Sequence, residues 1–199
     1  MNKNLELYRQ SFHLVFGILV LLFLYFVSEE NVLITLFILF LVSVLFSIIS
    51  MKVRIPIISF FLEKMGREKK LEQFPGKGFI FFIAGCLLTI KLFPNDIALA
   101  SIVVLTFGDS ISTLAGFLGL KYRTSPFSRY KSIYGTIIGM IVSFLIALIF
   151  VEPLYAMVAA VFGMFVEALS IKLGETEADD NLIVPLAAGT ACYLLRLIL

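Results

Sequence analysis

The sequence holds two cysteines, Cys86 and Cys192, and both fall inside apolar runs, so neither a disulfide framework nor a metal-thiolate site is expected. It holds a single histidine, His13. No Walker A loop, GxGxxG run, HExxH motif or nucleophile elbow occurs, which leaves a soluble-type ATP kinase and a serine hydrolase without support. Charge is sparse, at 15% of residues with a formal net of +2, and nucleic acid is not an expected partner. No small-residue cleavage site follows the first apolar run, so that run is expected to stay as a helix rather than to be removed as a signal peptide.

What is present is apolar. Of 199 residues 60% are hydrophobic and 21 are Phe, and the mean hydropathy is +1.04. Soluble domains run near half apolar, and stretches of about twenty apolar residues point to membrane spans. The chain therefore reads as a single all-α integral membrane domain, 1–199, of about seven transmembrane helices. The runs are Ser11 to Val27, Val32 to Met51, Phe79 to Phe93, Ile97 to Leu120, Ile133 to Val151, Leu154 to Leu173 and Leu182 to Leu199. In lipid each must satisfy its own backbone hydrogen bonds. The fourth carries Asp109 near its middle and is either continuous or broken there.

Charge sets the expected orientation. The connections after the first, third and fifth runs are short and hold Glu29, Glu30, Asp96 and Glu152. Only Lys91 and Arg196 are basic on that side, at helix ends from which they can snorkel. The other fourteen of the sixteen cations lie on the opposite side, which the positive-inside rule makes cytoplasmic, with the N-terminus inside and the C-terminus outside. The mixed charges of 52–75 fit either an amphipathic helix on the anionic leaflet or a solvated loop. The loops 121–132 and 174–181 on the same side hold the residues richest in chemistry.

Two carboxylates, Asp109 and Glu167, interrupt the membrane runs, where an ionised group costs about 3 kcal/mol even on lenient insertion scales. Such residues mark functional sites by default, the bland alternative being a helix-to-helix hydrogen bond. Asp109 lies in Gly108-Asp109-Ser110-Ile111-Ser112-Thr113, followed by Gly116 and Gly119. Lys131-Ser132-Ile133-Tyr134-Gly135-Thr136 opens the fifth helix, and a helix N-terminus with Lys, hydroxyls and Gly attracts anions. Gly135 and Gly139 also read as a small-residue packing face. Pro75-Gly76-Lys77-Gly78 opens the third helix with a cationic turn. Glu175, Glu177, Asp179 and Asp180 form an acidic loop whose oxygens suit Mg²⁺ beside substrate phosphates, or which simply caps the seventh helix through Asp180 or Asn181. Glu6, Arg9 and His13 enter the first span on one face, His13 reading equally as a structural hydrogen-bonding residue.

These blocks, together with Glu6 to His13, Glu167-Ala168-Leu169-Ser170 and Asp179 to Leu186, resemble the CTP-dependent lipid kinases that include dolichol kinase, yeast-type diacylglycerol kinase and phytol kinase, with a distant likeness to CDP-diglyceride synthase. The resemblance implies transfer of the terminal phosphate of CTP to a membrane lipid alcohol with Mg²⁺ or another divalent cation. Polyprenol or dolichol, geranylgeraniol or phytol, and diacyl- or dialkylglycerol all qualify as acceptor. It makes Asp109 a metal ligand or the base for the lipid hydroxyl, with Lys131 and His13 also catalytic. Lys77, Gly76, Gly78, Ser112, Lys131, Ser132, Gly135, Thr136 and Asn181 would hold nucleotide, and Glu167, Asp179 and Asp180 would join Asp109 at the metal. In that family an acidic residue usually precedes the Gly of the Lys-Ser block, whereas Tyr134 stands here. A CDP-lipid synthase and a small transporter or channel are the rival readings. A prokaryotic cell membrane is the expected location, with a homodimer one of the open oligomeric states.

Overall fold

The computed structural model describes residues 3–52, 76–117, 124–125, 128–169, 172–173 and 176–199. Seven helical segments make up the bundle among the described residues. The first two are α1 (Lys3–Phe26) and α2 (Glu29–Lys52), and α3 is Lys77–Leu92. The fourth, α4, runs over 95–117 as an α-helix Asn95–Val103, a π-helical stretch Val104–Asp109 and a further α-helix Ser110–Phe117. Then come α5 (Ile133–Ala147), α6 (Pro153–Ala168) and α7 (Asp180–Ile198). Four of them, Leu7–Phe26, Glu29–Met51, Asn95–Gly116 and Asp180–Ile198, are long and apolar enough to cross a membrane.

The sixteen residues of α3 and of α6 and the fifteen of α5 give lengths of only about 22–24 Å, short of a ~30 Å hydrocarbon core. In α5 the apolar run outlasts the regular helix. Turn bonds from Ile149 N to Ile146 O and from Val151 N to Ala147 O carry it on to Val151.

The structure corrects the sequence reading in several places. The fourth helix is not broken at Asp109: wider π turns keep its backbone bonded internally, as an apolar setting requires. The sixth run does not continue helical to Leu173, because α6 stops at Ala168 and Lys172–Leu173 (β3) pairs antiparallel with Thr176–Glu177 (β4). The loop at 121–132 likewise holds a hairpin, Thr124–Ser125 (β1) with Ser128–Ser132 (β2), so the all-α bundle carries two small strand pairs. The stretch 53–75, read as either an amphipathic helix or a solvated loop, lies outside the described residues, as do Gly119 and Glu175.

Of the four long apolar helices, α4 alone is mostly buried. Around it α1 packs on α4, α2 on α3, α3 and α6 on α7, and α5 on α4 and α6. Ile83, Cys86, Ile90, Ile102, Val103 and Leu105 are fully or nearly fully buried in the larger core cluster. Ile97, Val104, Ala159, Met164 and Ala188 form a second, where α4, α6 and α7 meet. Leu19, Ile38, Leu45, Phe162 and Leu194 stay exposed, as a bilayer-facing surface would leave them.

Candidate active site at one end of the bundle

The end of the bundle holding the start of α3, α5 and α7 gathers most of the polar residues singled out above. On α4 the π-helical stretch ends at Asp109, so a widened turn presents the carboxylate; π segments recur at functional sites. Next to it Ser110 is fully buried, and its Oγ lies 3.0 Å from His13 Nδ1 of α1. Asp109 Oδ2 is 4.0 Å from the same nitrogen, with the His13 and Asp109 side chains only 13% and 14% exposed. A Cβ at Gly17, one turn further along α1, would overlap the Thr106 side chain, so α1 lies flush on the π stretch. His13 Nε2 is buried without a hydrogen-bond partner. Asn181, whose Nδ2 donates to Gly78 O, keeps a second N–H and its Oδ1 and lies close enough to the ring to act on it.

The start of α7 is held by three devices. Asp179 caps it, accepting from Asn181 N at 3.3 Å, so the capping residue is Asp179 rather than Asp180 or Asn181. Asn181 Nδ2 donates to Gly78 O at 3.1 Å. Pro185 has no N–H for the Asn181 carbonyl four residues earlier. That carbonyl instead backs onto Gly85 of α3, so closely that a Cβ at 85 would strike it. On the α3 side, Gly76 takes the left-handed conformation (φ 77°) that starts the helix, which favours glycine. Lys77 Nζ sits 5.2 Å from the Phe81 ring centre. Burial pushes the Asp179 carboxyl above its ordinary 3.8. The Asn181 N–H and Lys77 oppose that rise, whereas Asp180 and Asp109 add to it. Asp109, Asp179 and Lys77 thus share one electrostatic neighbourhood.

The start of α5 is tied to α4 and α6. Ser132 caps it, accepting from Gly135 N at 3.4 Å. The Thr136 hydroxyl lies 3.3 Å from both the Ser132 carbonyl and Glu167 Oε2, and can donate to either. Glu167, at the end of α6, is 1% exposed. Gly135 backs onto the Ser112 carbonyl and Gly139 onto the Gly108 carbonyl, so the packing reading of these glycines is correct. Lys131 lies in β2 immediately before the cap, and Tyr134 is 48% exposed.

Asp109, His13, Asp179, Asn181, Lys77 and Gly78 therefore form one cluster. Ser112, Ser132, Gly135, Thr136 and Glu167 form a second, joined to the first through the turns of α4 that follow Asp109. Ser110 is the residue that the sequence reading leaves out. Its place beside Asp109 was visible, but its partner lies 97 residues away. Among the described residues no three or more His, Cys, Asp or Glu side chains gather closely enough to hold a metal ion by themselves. Mg²⁺ commonly takes one or two carboxylates plus substrate phosphates, and Asp109 and Asp179 are two carboxylates near enough to act on one another's charge. Glu167 is engaged elsewhere, at Thr136.

The opposite end of the bundle holds a cavity of about 610 Å³ whose charged residues include Asp96, Glu152 and Arg196. There Arg196 does not snorkel freely. Its Nη1 and Nη2 grip the Asp96 carboxylate at 3.1 and 2.5 Å, and it lies over the Tyr155 ring. That pair ties the start of α4 to the end of α7 and takes no part in the polar cluster.

No family model matches the chain, and no solved structure matches it. The chain is 22% identical over 144 residues to the CTP-dependent diacylglycerol kinase 1 of Schizosaccharomyces pombe, an alignment covering 64% of each protein. That distant similarity supports a relationship to the CTP-dependent lipid kinases. The chain is also 30% identical over 184 residues to the uncharacterized protein MJ1137 of Methanocaldococcus jannaschii, covering 90% of this chain and 88% of that protein. At that identity and coverage, the chain belongs to the same family as MJ1137.

Proposed function

We propose that this protein is a CTP-dependent lipid kinase, transferring the terminal phosphate of CTP to the hydroxyl of a membrane lipid alcohol at the cytoplasmic face. The observation that carries the reading is the gathering of Asp109, His13, Lys77, Asp179 and Asn181 at one end of an apolar bundle, next to the capped start of α5. The similarity to a diacylglycerol kinase supports the choice of donor and of acceptor class. Phosphoryl transfer needs positioning and charge neutralisation more than a covalent nucleophile, and this set of groups is of that kind.

In this reading the triphosphate lies against the first turn of α5, whose N–H groups and helix dipole favour anions. Lys131, Ser132, Gly135 and Thr136 supply that cradle, and Gly76, Lys77, Gly78, Ser112 and Asn181 close it from the other helices. Glu167 positions Thr136 by accepting a hydrogen bond from its hydroxyl. A divalent cation, held by Asp109 and Asp179 with Asp180 beside them, would neutralise charge on the phosphates when bound. As the new P–O bond forms and the bond to the β phosphate breaks, releasing CDP, the lipid hydroxyl must lose its proton. The His13 imidazole, or Asp109 in the alternative where it does not hold the cation, is the group at hand to receive it, and both border Ser110. The orientation follows the positive-inside rule, which sets the basic loops and the site in the cytoplasm. Polyprenol-type and glycerol-type alcohols both remain acceptors in this reading.

The test uses purified protein in liposomes containing mixed lipid alcohols, with Mg²⁺ and CTP labelled at either the α or the γ phosphate. Label from the γ position in the lipid is the expected result. Label from the α position would instead make the protein a CDP-lipid synthase. A folded protein that transfers neither would contradict an enzymatic role.

A further inference from the structure

We propose that the acceptor lipid enters sideways from the bilayer, through the cleft between α1 and α3 that Phe12, Phe16, Phe79 and Phe82 fill, with its hydroxyl leading towards His13. This rests on the lipid-kinase reading and adds the route and resting place of the acceptor.

The backbone arrangement leaves this cleft. Helix α1 packs on α4, with Gly17 pressed against Thr106, while α2 packs on α3. Among the described residues, neither α2 nor a close backbone approach of α3 seals the side of α1 next to the site. Rings bridge the gap instead. Phe12 and Phe16 lie 6.4 and 4.9 Å from Phe79, centre to centre, and Phe16 lies 6.4 Å from Phe82. Phe82 in turn meets the His13 ring edge-on at 4.7 Å. Phe12, Phe16 and Phe79 are half-buried, and only Phe82 is enclosed. A layer of side chains can rearrange by rotamer changes on a fast timescale, where a packed helix pair would have to separate.

The two ends of the cleft differ in chemistry. Outside, α1 shows Leu7, Tyr8, Val15 and Leu19, a surface suited to lipid. Inside, the ring layer ends at His13, whose Nδ1 is engaged by Ser110 and whose Nε2 is buried without a hydrogen-bond partner. A buried polar atom without a well-placed partner is costly, and an arriving hydroxyl would supply one beside the Asn181 side chain. A passage with apolar walls and one hydrogen-bonding group at its inner end matches an alcohol on a hydrocarbon chain. It suits neither an ion nor a nucleotide. The two substrates then approach from different sides, the acceptor through the rings and the nucleotide past the starts of α5 and α7.

Two measurements test this on the full chain. In the first, a long-chain alcohol bearing a diazirine near its hydroxyl is photolysed with the protein in liposomes. Label is expected on residues 12–16 and 79–82, suppressed by excess unlabelled alcohol and untouched by an alkane of equal length. Label confined to other helices, or equal suppression by the alkane, would overturn the proposal, and this readout does not depend on turnover. In the second, Phe12→Cys/Phe79→Cys is bridged by a short, reducible bifunctional thiol reagent; Cys86 and Cys192 are both buried. Bridging is expected to lower lipid phosphorylation at least tenfold, with recovery on reduction and unchanged CTP binding. Undiminished transfer in the bridged protein would overturn the route. Should the double variant fold poorly, Phe79→Leu serves, with an expected rise of threefold or more in KM for the lipid and none in KM for CTP. A wild-type protein that takes the photolabel in the cleft yet phosphorylates no alcohol would refute the kinase reading and leave the lipid site standing.

Discussion

Replacing Gly135 with alanine puts a methyl group where the Ser112 carbonyl already sits, with the Gly116 nitrogen 3.5 Å away. Both obstacles are backbone atoms of α4, so no side chain can swing aside. The first turn of α5 must retreat from α4 by roughly 1 Å to restore ordinary contact, and overpacking of this kind costs about 1–3 kcal/mol. The same retreat moves the Ser132 cap and Thr136 relative to Asp109. A displacement of about 1 Å at a reacting centre lowers a rate by about 10²-fold. Gly139→Ala would meet the Gly108 carbonyl and the Met164 methyl, and is expected to cost a similar amount. Gly116→Ala is the control: among the described residues its Cβ would meet only the Ser132 Cβ, at an ordinary 3.5 Å, and alanine favours a helix by about 0.5–1 kcal/mol. Thermal unfolding in detergent and γ-phosphate transfer would be measured side by side. A Gly135→Ala protein as stable and active as wild type, or a Gly116→Ala protein as damaged as Gly135→Ala, would refute the close approach of α4 and α5 as the device that sets the site.

Asp109→Asn and Lys131→Ala are each expected to abolish transfer while unfolding near the wild-type temperature; wild-type rates in both would remove the site assignment. The raised Asp179 carboxyl gives a signed pH effect. Because its folded pKa lies above the ordinary 3.8, ionising it opposes folding, a penalty absent below about 3.8 and complete once pH exceeds the raised value. Asparagine still caps a helix, so Asp179→Asn should raise the unfolding temperature at pH 7, lose that advantage in acid, and phosphorylate far more slowly. A lowered unfolding temperature at pH 7 would contradict this. At the other end, the Asp96 and Arg196 side chains are 42% and 34% exposed, so Asp96→Asn should cost no more than about 1 kcal/mol and leave turnover unchanged.

The seven apolar runs were legible because a helix in an apolar setting writes its length into the sequence, and each run became a helical segment. Boundaries failed where something other than hydropathy ended the helix. Leu169 and Leu173 are as apolar as the residues before them, but the chain turns at Leu169 and Lys172–Leu173 joins a strand pair. The π-helical stretch at Val104–Asp109 was out of reach, since a nearly uniform apolar run shows no period to distinguish one helical pitch from another. The polar residues of the site could be named from their types and their place at helix starts. Their partners could not. Ser110 with His13 and Asp96 with Arg196 are pairs 97 and 100 residues apart, fixed by how α1 and α7 lie against α4. The glycines at 135 and 139 were legible as packing positions because small residues four apart share a helix face, although the carbonyls they meet were not.

The most direct test of the shared site is an experimental structure of the full chain with a non-hydrolysable CTP analogue and Mg²⁺. The triphosphate is expected between the first turns of α5 and α7, with Asp109 and Asp179 nearest the phosphates and the bilayer edge of α1 open beside them. A nucleotide seated instead in the Asp96–Arg196 cavity, or none at saturating concentration, would contradict it.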